Sequence, residues 1–194
     1  MTGALAASLF RLGEDLAKVR VPWALVGGFA VSARAEPRFT RDVDVCVVAD
    51  SDKEAERIVL TLTGMGYSIA ALVEHEYGGR LATIRLNSPV VGGVIVDLLV
   101  ASSGVEAEIV DSAEHLEILA GLTVPVARAG HLVVLKLLSR DATRPQDDMD
   151  LQSLRPVLTT DDESAATQLA LLVTARGFGR GRDLPALLAA YLAG

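Results

Sequence analysis

The alternation Asp42-Val43-Asp44-Val45 constrains this chain more than any other stretch, because it satisfies its pattern only as a strand with its acids on one face. Side chains on a strand repeat every two residues, so Asp42 and Asp44 project together while Val43 and Val45 take the opposite face. The acidic face continues into Cys46 and Val48, both apolar, and therefore runs into a core rather than along a wet surface. Two carboxylates ~5 Å apart repel by about 3 kcal/mol at an effective dielectric of about 20, a sizeable fraction of a domain's stability. A divalent cation removes that repulsion.

Upstream, Trp23-Ala24-Leu25-Val26 reads as a short buried strand, Gly27-Gly28 as a turn, and Phe29 to Ala35 as a helix that starts at once. A helix start presents unpaired N–H groups and the positive end of the dipole, and glycine lets a phosphate approach that backbone closely. A triphosphate fits between the glycine turn and metals held by Asp42 and Asp44. A second informative stretch is Val94-Ile95-Val96-Asp97-Leu98-Leu99-Val100. An apolar run of strand length implies burial on both faces, where an ionised Asp97 costs several kcal/mol unless a cation accompanies it.

The arrangement Gly27-Gly28, then Arg38, Thr40, Asp42 and Asp44, resembles the first motif of the DNA polymerase β-like nucleotidyltransferase superfamily, most closely its AbiEii-type toxin branch. That branch has Gly-Gly where many relatives have Gly-Ser. The superfamily takes a third carboxylate from a later strand beside the first pair, and Asp97 matches it. Lys136 in Val134-Leu135-Lys136-Leu137-Leu138 resembles the lysine that AbiEii-type enzymes place on the helix after a hairpin. Gln146-Asp147-Asp148-Met149-Asp150-Leu151 resembles their following acidic motif, with Asp147 the best match and Asp150 next; the family often has a basic residue where Gln146 stands. The resemblance runs from Trp23 to Leu151.

The fold it implies is α/β (α+β): a nucleotidyltransferase-like mixed, twisted sheet carrying Asp42, Asp44 and Asp97, flanked by helices. Residues 1–127 form a nucleotidyltransferase core with an N-terminal helix, and 128–194 a C-terminal helical part that makes the other wall of a cleft. The reaction it implies is transfer of an NMP from an NTP to an acceptor, with release of pyrophosphate. Asp42, Asp44 and Asp97 would be the metal ligands, for two Mg²⁺ ions. Gly27, Gly28, Arg38, Thr40 and Lys136 would bind the nucleotide, and Asp97, Lys136 and Asp147 would join the first two acids as catalytic residues. Acceptors in the superfamily include the 3′ end of tRNA, proteins and aminoglycosides, and a toxin implies a cognate antitoxin. A non-catalytic NTP- or metal-binding module, or an interaction module on the same fold, is the competing class.

Elsewhere the patterns are plainer. Leu5, Leu9, Leu12 and Leu16 repeat at helical spacing within Met1 to Val19, which reads as an amphipathic helix and not a signal peptide. Ser51 and Glu54 form a capping box for a helix to about Met65, followed by strands over Tyr67 to Val73 and Leu81 to Leu86. Glu74-His75-Glu76 reads as a polar turn. Ser102 to Val110 is a short helix or loop, Leu116–Leu119 and Val124–Ala127 a hairpin, and His131 to Arg140, Glu163 to Ala175 and Asp183 to Ala193 are helices.

With 194 residues, 51% of them hydrophobic, the chain buries a real core, and no apolar run approaches the roughly 20 residues of a membrane span. The single cysteine, Cys46, suits a reducing cytoplasm as a small buried residue. A net charge of −7 argues against broad adhesion to nucleic acid. An RNA acceptor would depend on concentrated cations, and Arg34, Arg38, Arg41, Arg128, Arg140 and Arg144 are the candidates. Lys136 and Arg140 lie four apart on a helix, a mildly unfavourable pair that an intervening anion would relieve.

Overall fold

The structure is a computed structural model that describes residues 3–74, 81–141 and 144–194. Helix α1 (Gly3–Lys18) buries Leu5, Leu9, Leu12 and Leu16 along the predicted stripe. Strand β1 (Trp23–Val26) leads into α2 (Gly27–Arg34), then β2 (Asp42–Val47) and α3 (Asp52–Gly64). β3 (Ser68–Glu74), β4 (Leu81–Asn87) and β5 (Ile95–Leu99) follow, with α4 (Glu106–Asp111) and the hairpin of β6 (Glu114–Leu119) and β7 (Leu122–Val126). The chain ends in α5 (Ala129–Ser139), α6 (Pro145–Leu154), α7 (Thr160–Ala175) and α8 (Leu184–Ala193). Residues 75 and 76 of the anticipated polar turn lie outside the described residues.

The seven described strands form one mixed sheet in the order β3-β4-β5-β2-β1-β7-β6. β2 and β5 run parallel, as do β1 and β7, and the remaining neighbours are antiparallel. β2 and β5 occupy the middle of the sheet, which is why Val43, Val45, Val96 and Leu98 are fully buried and why both segments read as apolar runs broken by acids. Cys46 is a buried free thiol in the same layer.

Local chemistry moves several element boundaries from those anticipated. Gly27 is both the turn residue, at φ +64°, and the first residue of α2, so the helix starts two residues earlier than the turn-then-helix pattern implies. Ser51 accepts from the Glu54 amide, but the Glu54 carboxylate reaches Asp50 N rather than Ser51 N, so the capping box closes one residue early. The segment after β5 settles as α4 because Glu106 accepts from Ser103 N at 2.7 Å and Ser103 Oγ at 2.9 Å. Helix α7 begins ahead of Glu163 because Thr159 and Asp162 make a reciprocal capping box, with aspartate standing where glutamate usually does.

Candidate active site

Strand register builds the site. Val26, Asp44, Asp97 and Arg85 are successive partners across β1, β2, β5 and β4, so one row of the sheet carries two carboxylates and a guanidinium side by side. Gly27 follows Val26 directly, and a Cβ on it would lie 2.0 Å from Asp44 Oδ2. Only glycine serves there, both for this contact and for the positive φ. Helix α2 starts at that point with no side-chain cap among the described residues.

The second glycine has a different neighbour. A Cβ on Gly28 would meet Arg38 Nη2 at 2.3 Å, so Gly28 makes room for a guanidinium packed over the turn. Arg38 is held from the other side by both Asp150 oxygens, with Nη2 donating to Oδ2 at 2.8 Å and Nε donating to Oδ1. Lys136 Nζ lies 2.8 Å from Asp147 Oδ1 and 2.7 Å from Asp150 Oδ2. Ser139 Oγ donates to Asp147 Oδ2 at 3.0 Å. Helices α5 and α6 thus bring a lysine and two acids into one buried network that ends on the glycine turn. Thr40 sits at the entry to β2, its hydroxyl 3.5 Å from the Asp42 carbonyl oxygen.

A cavity of about 340 Å³ opens over this row, lined by Gly27, Asp44, Arg85, Asp97, Lys136 and Arg180 among others. Burial, the neighbouring Asp97 and Asp42 push the Asp44 carboxyl up to about 6, against the pull of Lys136. Asp42, half-buried at the strand end, is raised by burial and by Asp97. Both shifts come from burial first and from crowded like charge second, and the carboxylate oxygens suit a divalent cation. Among the described residues no three His, Cys, Asp or Glu side chains gather into a ready-made metal cage. Asp97 is engaged instead by Arg85, whose Nε and Nη2 donate to its two oxygens at 2.8 and 2.7 Å.

The chain matches the family described as nucleotidyl transferase AbiEii toxin, type IV TA system, over residues 11–191. It belongs to the AbiEii family. As an AbiEii protein it is a nucleotidyltransferase, an enzyme that moves a nucleoside monophosphate, of the kind found as a toxin in toxin–antitoxin systems. Solved structures agree on the fold. The chain is similar to an antigenic nucleotidyltransferase-like protein from Paracoccidioides brasiliensis, at 18% identity and a TM-score of 0.58 over 97% of this chain and 94% of that one. It is similar to the antibiotic-resistance factor ANT(2'')-Ia, at 18% identity and 0.53 over 100% and 94%. The lincosamide antibiotic adenylyltransferase LnuA, solved with lincomycin, is 14% identical with a TM-score of 0.50 over 78% and 97%. No curated protein matches.

For this AbiEii chain the site brings together Gly27, Asp44, Asp97 and Lys136 at the cavity, with Asp42 beside them on β2. Gly28, Arg38 and Asp147 stand one contact behind it, and Thr40 lies at the strand entry. Two sites are already occupied within the fold. Asp97 has a cation beside it in Arg85, a pairing that depends on the register of β4 against β5. The anion between Lys136 and Arg140 is also internal, since Asp147 and Asp150 face Lys136 and Asp148 faces Arg140. Five of the six candidate RNA-binding arginines are likewise paired within the chain. Arg34 pairs with Glu114, Arg38 with Asp150, Arg128 with Asp162, Arg140 with Asp148 and Arg144 with Asp147. Arg41 lies over the Phe39 ring. Among the described residues no helix is long and apolar enough to cross a membrane.

Proposed function

We propose that this chain carries out Mg²⁺-dependent transfer of an NMP from an NTP to the 3′ end of an RNA, tRNA first among them, as a cytoplasmic toxin restrained by a cognate antitoxin. The row of Gly27, Asp44 and Asp97 under one cavity, with Lys136 at its wall, is the observation that carries this reading. Asp42, Asp44 and Asp97 would hold two Mg²⁺ ions, which when bound supply Lewis-acid polarisation of the phosphate oxygens and a template for in-line attack.

The remaining work falls to the chain itself. The N–H groups at the start of α2 receive phosphate oxygens, and Gly27 permits their close approach. Lys136 brings a point charge to the triphosphate, and Asp147 and Asp150 fix the direction of its Nζ. Arg38, braced by Asp150, adds a second cation beside the glycine turn, and Thr40 steadies the entry to β2. Asp97 accepts the proton of the acceptor hydroxyl at its carboxylate. Residues 1–127 act as the catalytic core and 128–194 as the second wall of its cleft.

A small-molecule acceptor, such as an aminoglycoside, is a second reading favoured by one observation: five of the six candidate RNA-binding arginines already pair with acids of the same chain. RNA must displace those acids, so its binding should depend on salt more gently than free arginines would make it. The test is NTP labelled at the α-phosphate, offered with tRNA, cell protein and aminoglycosides in parallel. Label on tRNA, lost in Asp44→Asn, supports the first reading. Label on an aminoglycoside that tRNA does not compete away supports the second.

A further inference from the structure

Arg85 sits on β4 with Asp97 as its register partner on one side and Ala71 on the other, so a small neighbour leaves its side chain unwedged. Its side chain is 48% exposed, whereas that of Asp97 is 9% exposed. Both oxygens of a nearly buried carboxylate are therefore satisfied by a half-exposed cation, at the lip of the cavity that also contains Asp44. A bidentate guanidinium occupies the directions from which a metal would approach those oxygens, and its charge repels a second cation across the same few ångströms.

We propose that Arg85 holds the cation position at Asp97 while the site is empty, and moves from that carboxylate to the polyphosphate when metal and nucleotide enter together. This rests on the nucleotidyltransferase site proposed above and deepens it. A metal arriving alone must compete with Arg85 and gives the displaced guanidinium no new partner. A metal arriving with a polyphosphate brings the replacement anion, so no charge is left uncompensated at any stage. Arg85 therefore couples the two ligands: each strengthens the binding of the other, by the same factor in either direction. The arrangement keeps the acids from being filled by free cation and reserves them for the metal–nucleotide complex.

Mn²⁺ titration followed by electron paramagnetic resonance, with and without a non-hydrolysable NTP, reads this directly. Wild type should bind Mn²⁺ weakly by itself and much more tightly with nucleotide. Arg85→Gln should bind Mn²⁺ by itself about tenfold more tightly than wild type, and the gain on adding nucleotide should shrink by a similar factor. Asp44→Asn should lose the Mn²⁺ signal in both backgrounds, which ties it to this site. Equal or weaker Mn²⁺ binding by Arg85→Gln, or an unchanged nucleotide gain, overturns the exchange while leaving the nucleotidyltransferase site intact. If wild type binds no Mn²⁺ even with nucleotide, the site reading itself fails and the exchange falls with it. A second measurement uses wild type only: the Arg85 Nε–H resonance should shift on adding Mg²⁺ with the NTP analogue and stay in place with Mg²⁺ alone. A resonance that stays in place under both conditions also overturns the exchange.

Discussion

Asp44 and His131 titrate in opposite senses over the same pH interval. The folded Asp44 carboxyl is raised to about 6 from 3.8, so its contribution to stability is fully present below the unfolded value and is lost as pH rises through 6. His131, buried beside Ser112 and lowered to about 4 from 6.5, contributes stability above 6.5 that is lost as pH falls through 4. In metal-free protein, Asp44→Asn should therefore remove a loss of stability between pH 4 and 6, and His131→Gln should remove a gain. Denaturant melts at several pH values separate the two, and parallel curves for wild type and Asp44→Asn would contradict the assigned environment. Asp150 is the other decisive residue. Its side chain is fully buried between Arg38 and Lys136, and breaking a buried pair by removing one partner costs about 3 kcal/mol or more. Asp150→Ala should lower the Tm by roughly 10 °C, and Lys136→Ala should also destabilise, by less, because each of two buried acids loses one of its two cations. A Tm within 2–3 °C of wild type for Asp150→Ala, about what 1 kcal/mol would produce, would show that the network carries little.

Helices α5 and α7 come close in backbone where Gly130 faces Asp162. A Cβ on Gly130 would lie 2.0 Å from the Asp162 backbone oxygen, and neither partner is a flexible side-chain end that could swing away. Gly130→Ala should destabilise by about 1–3 kcal/mol through forced separation of the two helices. Equilibrium unfolding checks this, and a change below about 0.5 kcal/mol would mean the contact relaxes freely. No local signal predicts that glycine's role, since it depends on a partner thirty-two residues away. The same distinction runs through the whole chain. The elements were legible wherever periodicity was strong: the leucine stripe of α1, the acid alternation of β2 and the apolar run of β5 each fixed an element and a face. What joins elements was not legible. The Arg85–Asp97 pair depends on antiparallel register between β4 and β5, and the Arg38–Asp150 pair joins groups 112 residues apart. The Thr159–Asp162 box escaped because the usual signature has glutamate or glutamine in its last position.

Across the molecule, a charge of −7 is distributed so that most of the arginines near the cleft already have an acid of their own. Where β2 meets β5, burial and the neighbouring Asp97 raise the carboxyls of Asp42 and Asp44. A site of that kind suits a cation and, through it, a polyphosphate. The most direct measurement is therefore covalent transfer of label from α-phosphate-labelled NTP to an acceptor, with Mg²⁺ present and absent, by wild type and by Asp44→Asn. Transfer by wild type that needs Mg²⁺, releases pyrophosphate and falls at least about a hundredfold in Asp44→Asn is the predicted result. Transfer that survives unchanged in Asp44→Asn would contradict the placement of the active site on this row of the sheet.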